Sequence, residues 1–290
     1  MRETDASWTV ITGSTGGIGR KITKKLAARG DSMILVNRSE AKANAQRSDI
    51  LVTHPELRIE VVTADLFDTA QIAAATDKIN ALPGRIDALY NTAGVLTAEK
   101  ILSAQGFESQ FAVNTLAPYQ LIQNLRAKMA RPLSDPPAMI VNFSSSAITS
   151  VKTLELDSLA NPDKVGGLMS TYAQTKLAVT ALAAALADDL KSDNVLIRAI
   201  DPGATKSAMT TGGNSGMPKL LAWAAPLLFS PADKQAAKVV DSADPSAFDG
   251  GSGIYVANLR EKKLPAAAAD LKTQRDLVAL LNSLLGAVII

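Results

Sequence analysis

Residues 8–19, which read WTVITGSTGGIG, decide the fold of this 290-residue chain. A run of strand-forming residues leads into a glycine-rich turn, and Ile18, Ile22 and Leu26 then recur at helical spacing. Glycines permit a tight turn and let backbone N–H groups approach a pyrophosphate at the positive end of the following helix. The stretch predicts a strand–turn–helix unit that holds a dinucleotide through Gly13, Ser14, Thr15, Gly17, Ile18 and Gly19.

The rest of the chain repeats the alternation of strand and helix. Apolar runs predict strands at 33–36, 59–63, 86–90, 139–143, 195–200 and 253–256, and helical spacing predicts helices at 69–80, 106–129 and 170–191. The strand runs are nearly continuous, as in strands that are covered on both faces. We therefore expect an α/β fold over residues 1–290, a single-domain Rossmann-type doubly wound parallel sheet with helices on both faces.

Composition excludes several classes of protein. The chain is 47% hydrophobic with a net charge of +2, which argues against disorder and gives no electrostatic footprint for nucleic acid. The absence of cysteine and the single histidine, His54, exclude thiolate chemistry and a His-rich metal site, so no metal is expected. The polar start predicts no signal peptide, and the apolar runs are too short for a membrane span. We expect a cytoplasmic protein.

The end of the second strand indicates which dinucleotide is preferred. An acidic residue there would bind the ribose 2′-hydroxyl, whereas an arginine accommodates a 2′-phosphate. The chain has Asn37 followed by Arg38, and a guanidinium can grip a phosphate with two hydrogen bonds. NADP(H) is therefore favoured. NAD(H) remains an alternative, in which Arg38 is only a solvated residue at the start of a helix.

Tyr172 and Lys176 are four positions apart on a predicted helix, so they share one face. A phenol titrates near pH 10, and a neighbouring ammonium favours its ionised form. The strand predicted at 139–143 ends in three serines, Ser144, Ser145 and Ser146, where ligands of such sheets bind. These serines form either part of a site or only a turn that closes a loop.

Over nearly its full length the chain resembles the short-chain dehydrogenase/reductase family. The features that match, in family order, are the turn at 12–19, Asp65, the segment Asn91-Thr92-Ala93-Gly94, Asn114, Ser145, the Tyr172/Lys176 pair and Pro202-Gly203. Arg38 and the long interval between Ser145 and Tyr172 resemble the retinol-dehydrogenase-like and carbonyl-reductase-like members. Where the family commonly has Asn-Asn-Ala-Gly, this chain has Thr92, which leaves the hydrogen bonding of that turn open.

The resemblance implies a role for each matching residue. Tyr172 is the general acid in reduction, Lys176 lowers its pKa and binds the nicotinamide ribose, and Ser145 polarises the substrate carbonyl. Ser144 and Ser146 remain the alternatives for that serine. Asn114 holds a water that links Lys176 to solvent. The remaining cofactor contacts are expected from Asp65, Leu66, Asn91, Ala93, Gly94, Pro202, Gly203 and Ser207.

Two segments are expected to shape the mouth of the site. Residues 148–168 form an extra loop that either influences substrate choice or is a solvated insertion, and residues 208–230 correspond to the family's substrate lid. The alanine-rich run at 178–187 permits either pairing with a second copy or internal packing.

These observations predict an NADP(H)-dependent oxidoreductase, a carbonyl reductase in its main direction, acting on a lipophilic small-molecule carbonyl or alcohol. The alternatives are a dinucleotide-sensing protein without turnover and a family member that catalyses dehydration or epimerisation.

Overall fold

The sheet and its order define the architecture. The structure is a computed structural model that describes residues 7–163, 167–203 and 230–288. It contains an eight-stranded sheet of order β3-β2-β1-β4-β5-β6-β7-β8, in which β7 and β8 are antiparallel and the other neighbours are parallel. The strands are β1 (Ser7–Thr12), β2 (Met33–Asn37), β3 (Ile59–Thr63), β4 (Arg85–Asn91), β5 (Ala138–Phe143), β6 (Val195–Asp201), β7 (Ile254–Ala257) and β8 (Arg260–Lys262).

Helices cover both faces of the sheet. Leu26, Ile50 and Val239 come from helices on one face, and Ile79, Leu125 and Leu182 come from helices on the other. The predicted Rossmann-type fold class is confirmed. The helices are α1 (Gly17–Arg29), α2 (Glu40–Thr53), α3 (Thr69–Ala81), α4 (Ser109–Phe111), α5 (Ala117–Met129), α6 (Leu156–Leu159), α7 (Gly167–Lys191), α8 (Ala232–Ser242), α9 (Ala266–Ala269) and α10 (Leu271–Val288).

Two elements differ from the sequence prediction. The helix expected to start at residue 106 begins at Ser109, because Gly106 adopts a φ of +83° and the Glu108 carboxylate caps the N–H groups of Gln110 and Phe111. The last strand pair is an antiparallel hairpin whose turn residues, Asn258 and Leu259, have φ of 55° and 60°. The outer strand β8 is fully exposed and carries charged residues, which discourages pairing with another chain.

The glycine turn lies where the strand order reverses, because β1 and β4 are sequence-distant neighbours in the sheet. A ligand crevice forms at such a reversal, beyond the carboxyl ends of the strands. Here three backbone segments lie close together. A Cβ on Gly13 would lie 2.9 Å from the Ala93 Cα, and one on Gly19 would lie 2.4 Å from the Gly13 carbonyl oxygen. Glycine is therefore required at both positions.

The alanine-rich run on α7 is packed internally. Ala178, Ala181 and Ala183 are fully buried, and helices α9 and α10 lie against α7. Helix α10 also reaches α5, since the Tyr119 hydroxyl donates to the Asn282 side-chain oxygen at 2.6 Å. Among the helices that the structure describes, none is both long enough and apolar enough to cross a membrane.

Candidate active site

The three serines after β5 face three different environments. Ser144 is buried, and its hydroxyl oxygen lies 2.7 Å from that of Thr180 on α7. Ser146 is exposed at the start of a short 3₁₀ helix (Ser146–Ser150). Ser145 is partly buried; its hydroxyl accepts the Ala147 N–H at 3.2 Å and lies close enough to Tyr172 to lower the pKa of the phenol, which burial raises. The geometry brings Ser145, and not its neighbours, to Tyr172.

Tyr172 and Lys176 lie beside this turn, one helical turn apart on α7. The Lys176 ammonium is 4% exposed, donates a hydrogen bond to the Phe143 carbonyl oxygen at 2.8 Å, and lies 5.8 Å from the centre of the Tyr172 ring. Phe143, the last residue of β5, therefore binds the Lys176 ammonium, and Ser145, two positions later, lies beside Tyr172. A hydroxyl, a phenol and an ammonium converge at the carboxyl edge of the sheet, as expected from the sequence.

The electrostatics of the pair differ from the expectation that Lys176 lowers the pKa of Tyr172. Burial raises the pKa of the Tyr172 phenol to about 12, and the nearby Ser145 hydroxyl offsets only part of this rise. Burial also lowers the pKa of Lys176 to about 8. Desolvation is the largest cause of both shifts, since removing water disfavours the charged form of each group. Tyr172 is held as a neutral proton donor.

Asn114 lies in a π-helical turn (Ala112–Leu116) between α4 and α5. Its side chain is 1% exposed, accepts the Val95 N–H at 2.9 Å, and donates to Thr175 Oγ1 at 3.1 Å. Four residues later comes Pro118, which has no N–H to offer the Asn114 carbonyl oxygen. The Asn114 carbonyl oxygen therefore lacks the i+4 donor of an α-helix, in keeping with the π-helical turn.

The turn after β1 fits the phosphates of a dinucleotide. Helix α1 starts at Gly17 with no side-chain cap and no acidic residue in its first turn, and a Cβ on Gly16 would meet nothing within 4 Å. The N–H groups of this helix end are therefore open to an anion. The Asn37 amide braces the turn from behind: its oxygen accepts the Thr15 N–H at 3.3 Å, and its nitrogen donates to Ser14 Oγ at 2.8 Å.

Arg38 directly follows β2, and Asp65 lies two residues after the end of β3. The Arg38 side chain is 82% exposed, and its guanidinium lies 3.9 Å from the Asp65 carboxylate. Asp65 also accepts the Phe67 N–H at 3.1 Å, which fixes its loop, and Leu66 is partly buried beside it. Arg38 is therefore an exposed cation at the carboxyl end of β2, with a carboxylate as its partner.

The turn after β4 keeps its hydrogen bonds despite Thr92. The Thr92 hydroxyl donates to the Thr12 carbonyl oxygen at 2.5 Å, and the N–H groups of Thr92 and Ala93 donate to Thr12 Oγ1. Asn91 is 3% exposed and donates to the Asn142 side-chain oxygen at 2.8 Å. The Asn91 side chain thus joins β4 to β5, and Ala93 and Gly94 remain partly exposed at the edge of the crevice.

The described part of the extra loop is ordered and attached to α7. Gln174 accepts the Glu155 N–H at 3.1 Å and donates to the Thr153 carbonyl oxygen at 3.0 Å, and Leu154 and Leu159 are buried. The segment is therefore packed against the helix that carries Tyr172. Residues 164–166 of this loop, residues 208–229 of the expected lid and the expected contact Ser207 lie outside the described residues.

Sequence reasoning missed Asp201, the last residue of β6. Its carboxylate accepts the Gly203 N–H at 2.8 Å, fixing the Pro202-Gly203 turn; burial raises the pKa of this carboxyl, and the nearby Ser146 N–H and Tyr255 hydroxyl lower it. The signal was present in the sequence, because an acidic residue at the carboxyl end of a parallel strand faces the ligand crevice.

Comparisons with known proteins identify the family to which the chain belongs. The short chain dehydrogenase profile matches residues 7–217. Short-chain dehydrogenase TIC 32 A of Brassica napus is 31% identical over 73% of this chain and 68% of its own length. Human retinol dehydrogenase 12 is 30% identical over 96% of this chain and 85% of its own length.

Solved structures share the fold. An uncharacterised protein from Mycobacterium paratuberculosis superposes with a TM-score of 0.75 at 22% identity, covering 96% of this chain and 92% of that one. L-sorbose reductase from Gluconobacter frateurii, solved with NADPH and L-sorbose, superposes with a TM-score of 0.69 at 19% identity, covering 88% and 95%. The fold and the site define an oxidoreductase with a nicotinamide cofactor. The chain belongs to the short-chain dehydrogenase/reductase family and resembles its retinol dehydrogenases.

Proposed function

We propose that this protein reduces a carbonyl group of a lipophilic small molecule with NADPH, and catalyses the reverse oxidation of the alcohol. The observation that carries the proposal is the placement of Tyr172 beside the Ser145 turn, with the buried Lys176 ammonium 5.8 Å from the centre of the tyrosine ring and hydrogen-bonded to the Phe143 carbonyl oxygen. Two hydroxyl donors at one edge of the sheet can bind one carbonyl oxygen together, where negative charge develops during reduction.

Each residue then has a chemical task. Ser145 and Tyr172 orient the carbonyl oxygen, and Tyr172 delivers the proton as charge builds on it. Bound NADPH supplies the hydride. Lys176 supplies a positive charge beside the phenol and a donor for the nicotinamide ribose, and Asn114 holds a water at its carbonyl oxygen. Because burial raises the pKa of Tyr172 to about 12, the phenol is protonated at neutral pH and carries the proton that the reduction requires.

The preference for NADP(H) over NAD(H) rests on Arg38 and on the absence of a carboxylate at position 37. Asn37 is 5% exposed and its amide is hydrogen-bonded to the glycine turn, so this side chain is not available to bind a ribose hydroxyl. Arg38 is the exposed cation at the end of the same strand. Several structural neighbours are complexes with NADPH, including L-sorbose reductase, which is in keeping with this preference.

The remaining cofactor contacts are proposed from the same crevice. They are Gly13, Ser14, Thr15, Gly17, Ile18, Gly19, Asp65, Leu66, Asn91, Ala93, Gly94, Pro202, Gly203 and Ser207. Residues 148–168 and 208–230 would border the substrate within one domain, and the resemblance to retinol dehydrogenases supports a lipophilic substrate. The cytoplasmic location expected from the sequence stays a prediction.

The test is NADPH consumption by the purified protein with a panel of aldehydes and ketones that includes retinoid and steroid carbonyls. Turnover that is lost in Tyr172→Phe supports the proposal. The competing hypothesis, a dinucleotide sensor, predicts NADPH binding without consumption of any carbonyl in the panel. Turnover with NADH at equal efficiency would overturn the cofactor preference while keeping the reaction.

A further inference from the structure

Asp201 lies at the junction of the segments that build the proposed site. The pairing of β5 with β6 extends one residue beyond the end of β5, since the Ser144 N–H donates to the Ile200 carbonyl oxygen at 2.9 Å. Asp201 therefore lies beside the serine turn. Its carboxylate accepts the Gly203 N–H at 2.8 Å, and the Ser146 N–H and the hydroxyl of Tyr255 on β7 lie close enough to lower its pKa, which burial raises. One side chain joins the serine turn, the Pro202-Gly203 turn and β7.

The same carboxylate acts on the charges of the site. Lys176 is 4% exposed, and a buried ammonium needs a counter-charge as well as the Phe143 carbonyl acceptor. Phe143 is the register partner of Ile200, so Asp201 follows directly beside the carbonyl that holds the ammonium, and its charge raises the Lys176 pKa that burial lowers to about 8. The titratable groups that act on Asp201 are Lys176 from α7 and Tyr255 from β7.

Asp201 also affects Tyr172, in the direction that suits an acid. After burial, which raises the phenol pKa most, the negative charge of Asp201 raises it further, while Ser145 lowers it. A single anion therefore keeps the ammonium charged and the phenol protonated. Both effects follow from one sign of charge, because an anion disfavours loss of a proton from either group.

We propose that Asp201 is a positioning residue of this site: its carboxylate fixes the turns that carry Ser145 and Gly203 and is the counter-charge of the buried Lys176 ammonium. The inference rests on the proposed function for its catalytic meaning, but its electrostatic part can be measured without turnover.

The first measurement is the titration of Lys176 itself. Competitive acylation from about pH 6 to about pH 10, with the Lys176 peptide quantified by mass spectrometry, gives the midpoint at which the amine becomes reactive. In Asp201→Asn the amide oxygen can still accept the Gly203 N–H, but the negative charge is lost. The midpoint should fall by about one pH unit. Asp241→Asn, which removes an exposed carboxylate from α8, is the matched control and should leave the midpoint unchanged.

Tyr255→Phe provides a second variant in case Asp201→Asn does not fold. The Tyr255 hydroxyl lowers the pKa of Asp201, which burial raises, so its loss reduces the negative charge on the carboxylate. The Lys176 midpoint should move in the same direction as in Asp201→Asn, by a smaller amount. An unchanged midpoint in both variants would overturn the inference, whether or not the protein turns over a carbonyl.

The second measurement is the pH profile of NADPH-dependent reduction. The limb at high pH should move down by about one unit in Asp201→Asn, a shift that a purely structural role would not cause. If the wild-type protein reduces no carbonyl while the Lys176 midpoint still falls in the variants, the proposed function fails and the counter-charge role of Asp201 stands. If the wild-type protein is active and neither the limb nor the midpoint moves, Asp201 has no such role.

Discussion

The hydroxyl oxygens of Ser144 and Thr180 lie 2.7 Å apart inside the protein, and the Thr180 hydroxyl in turn donates to the Lys176 carbonyl oxygen at 2.7 Å. This contact commits Ser144 to the packing of β5 against α7. The next residue, Ser145, is the one that lies close enough to Tyr172 to lower the phenol pKa, which burial raises. The three serines, of which the family resemblance favours Ser145, thus differ in burial and in their contacts.

Alanine substitutions should separate the three serines. Ser145→Ala should lower kcat/KM for reduction by about 100-fold, because one of two donors to the carbonyl oxygen is lost. Ser146→Ala, at an exposed position, should retain activity and stability. Ser144→Ala should cost about 1 kcal/mol of folding free energy, since Thr180 keeps its bond to Lys176, and should leave kcat near the wild-type value.

Steady-state kinetics and chemical denaturation on the three variants check this assignment. Loss of turnover in Ser144→Ala or Ser146→Ala, with Ser145→Ala still active, would show that the wrong serine is assigned.

Replacing Tyr172 by Phe should lower turnover by about 100-fold to 10,000-fold, because the proton donor is removed while the ring remains. NADPH affinity should be nearly unchanged, since Lys176 and the glycine turn are intact. Kinetics and a fluorescence titration with NADPH measure the two effects separately. A variant that kept most of its turnover would exclude Tyr172 as the acid.

The sequence predicted most of the fold because its signals are local. The apolar strand runs and the helical spacing of Ile18, Ile22 and Leu26 are each recognised within a few residues. The environments of the three serines and the contacts of Asp201 were not predictable in this way. They depend on packing between β5, β6 and α7, elements that are far apart in the sequence.

The direction of the Tyr172 pKa could not be predicted for a similar reason. Spacing places an ammonium one turn away, but only the structure shows how deeply both groups are buried, and burial is the larger effect. Asn37 is a further example. Its lack of charge was evident in the sequence, whereas its hydrogen bonds to Thr15 and Ser14 were not.

As the pH rises, the rate of reduction should respond to the titration of Lys176 at a lower pH than to that of Tyr172. Burial lowers the pKa of Lys176 to about 8, so kcat/KM should fall above this pH as the ammonium loses its proton. Tyr172, with a pKa of about 12, should not limit activity there. In Lys176→Arg the charge persists at every accessible pH, so the limb near pH 8 should disappear although activity is reduced. If the limb persists in this variant, another group is responsible for it.

Arg38→Ala should change the choice of cofactor. Loss of a charge-assisted pair of hydrogen bonds to a 2′-phosphate should raise KM for NADPH by about 10-fold to 100-fold and leave KM for NADH unchanged. Arg85→Ala is the control. It removes an equal charge at the first residue of β4, at the opposite edge of the sheet. Equal losses with both cofactors, or in both variants, would argue against a role for Arg38 in recognising the phosphate.

Two glycines of the first turn should respond differently to alanine, because only one has room for a side chain. In Gly19→Ala the new Cβ would lie 2.4 Å from the Gly13 carbonyl oxygen, so α1 must shift, and folding free energy should fall by about 3 kcal/mol. In Gly16→Ala the Cβ would meet nothing within 4 Å and the backbone is already extended, so the cost should stay below about 1 kcal/mol.

In Gly16→Ala and Gly19→Ala, the change in NADPH affinity should not parallel the change in folding free energy. The open space at Gly16 adjoins the uncapped N–H groups of α1, where the phosphates are proposed to lie, so Gly16→Ala should weaken NADPH binding by about tenfold while the protein remains folded. Calorimetric titration on both variants, with thermal unfolding alongside, measures the two effects. Unchanged NADPH affinity in Gly16→Ala would mean that the pyrophosphate does not rest on this turn, because an alanine methyl group there would otherwise take the place of a phosphate oxygen.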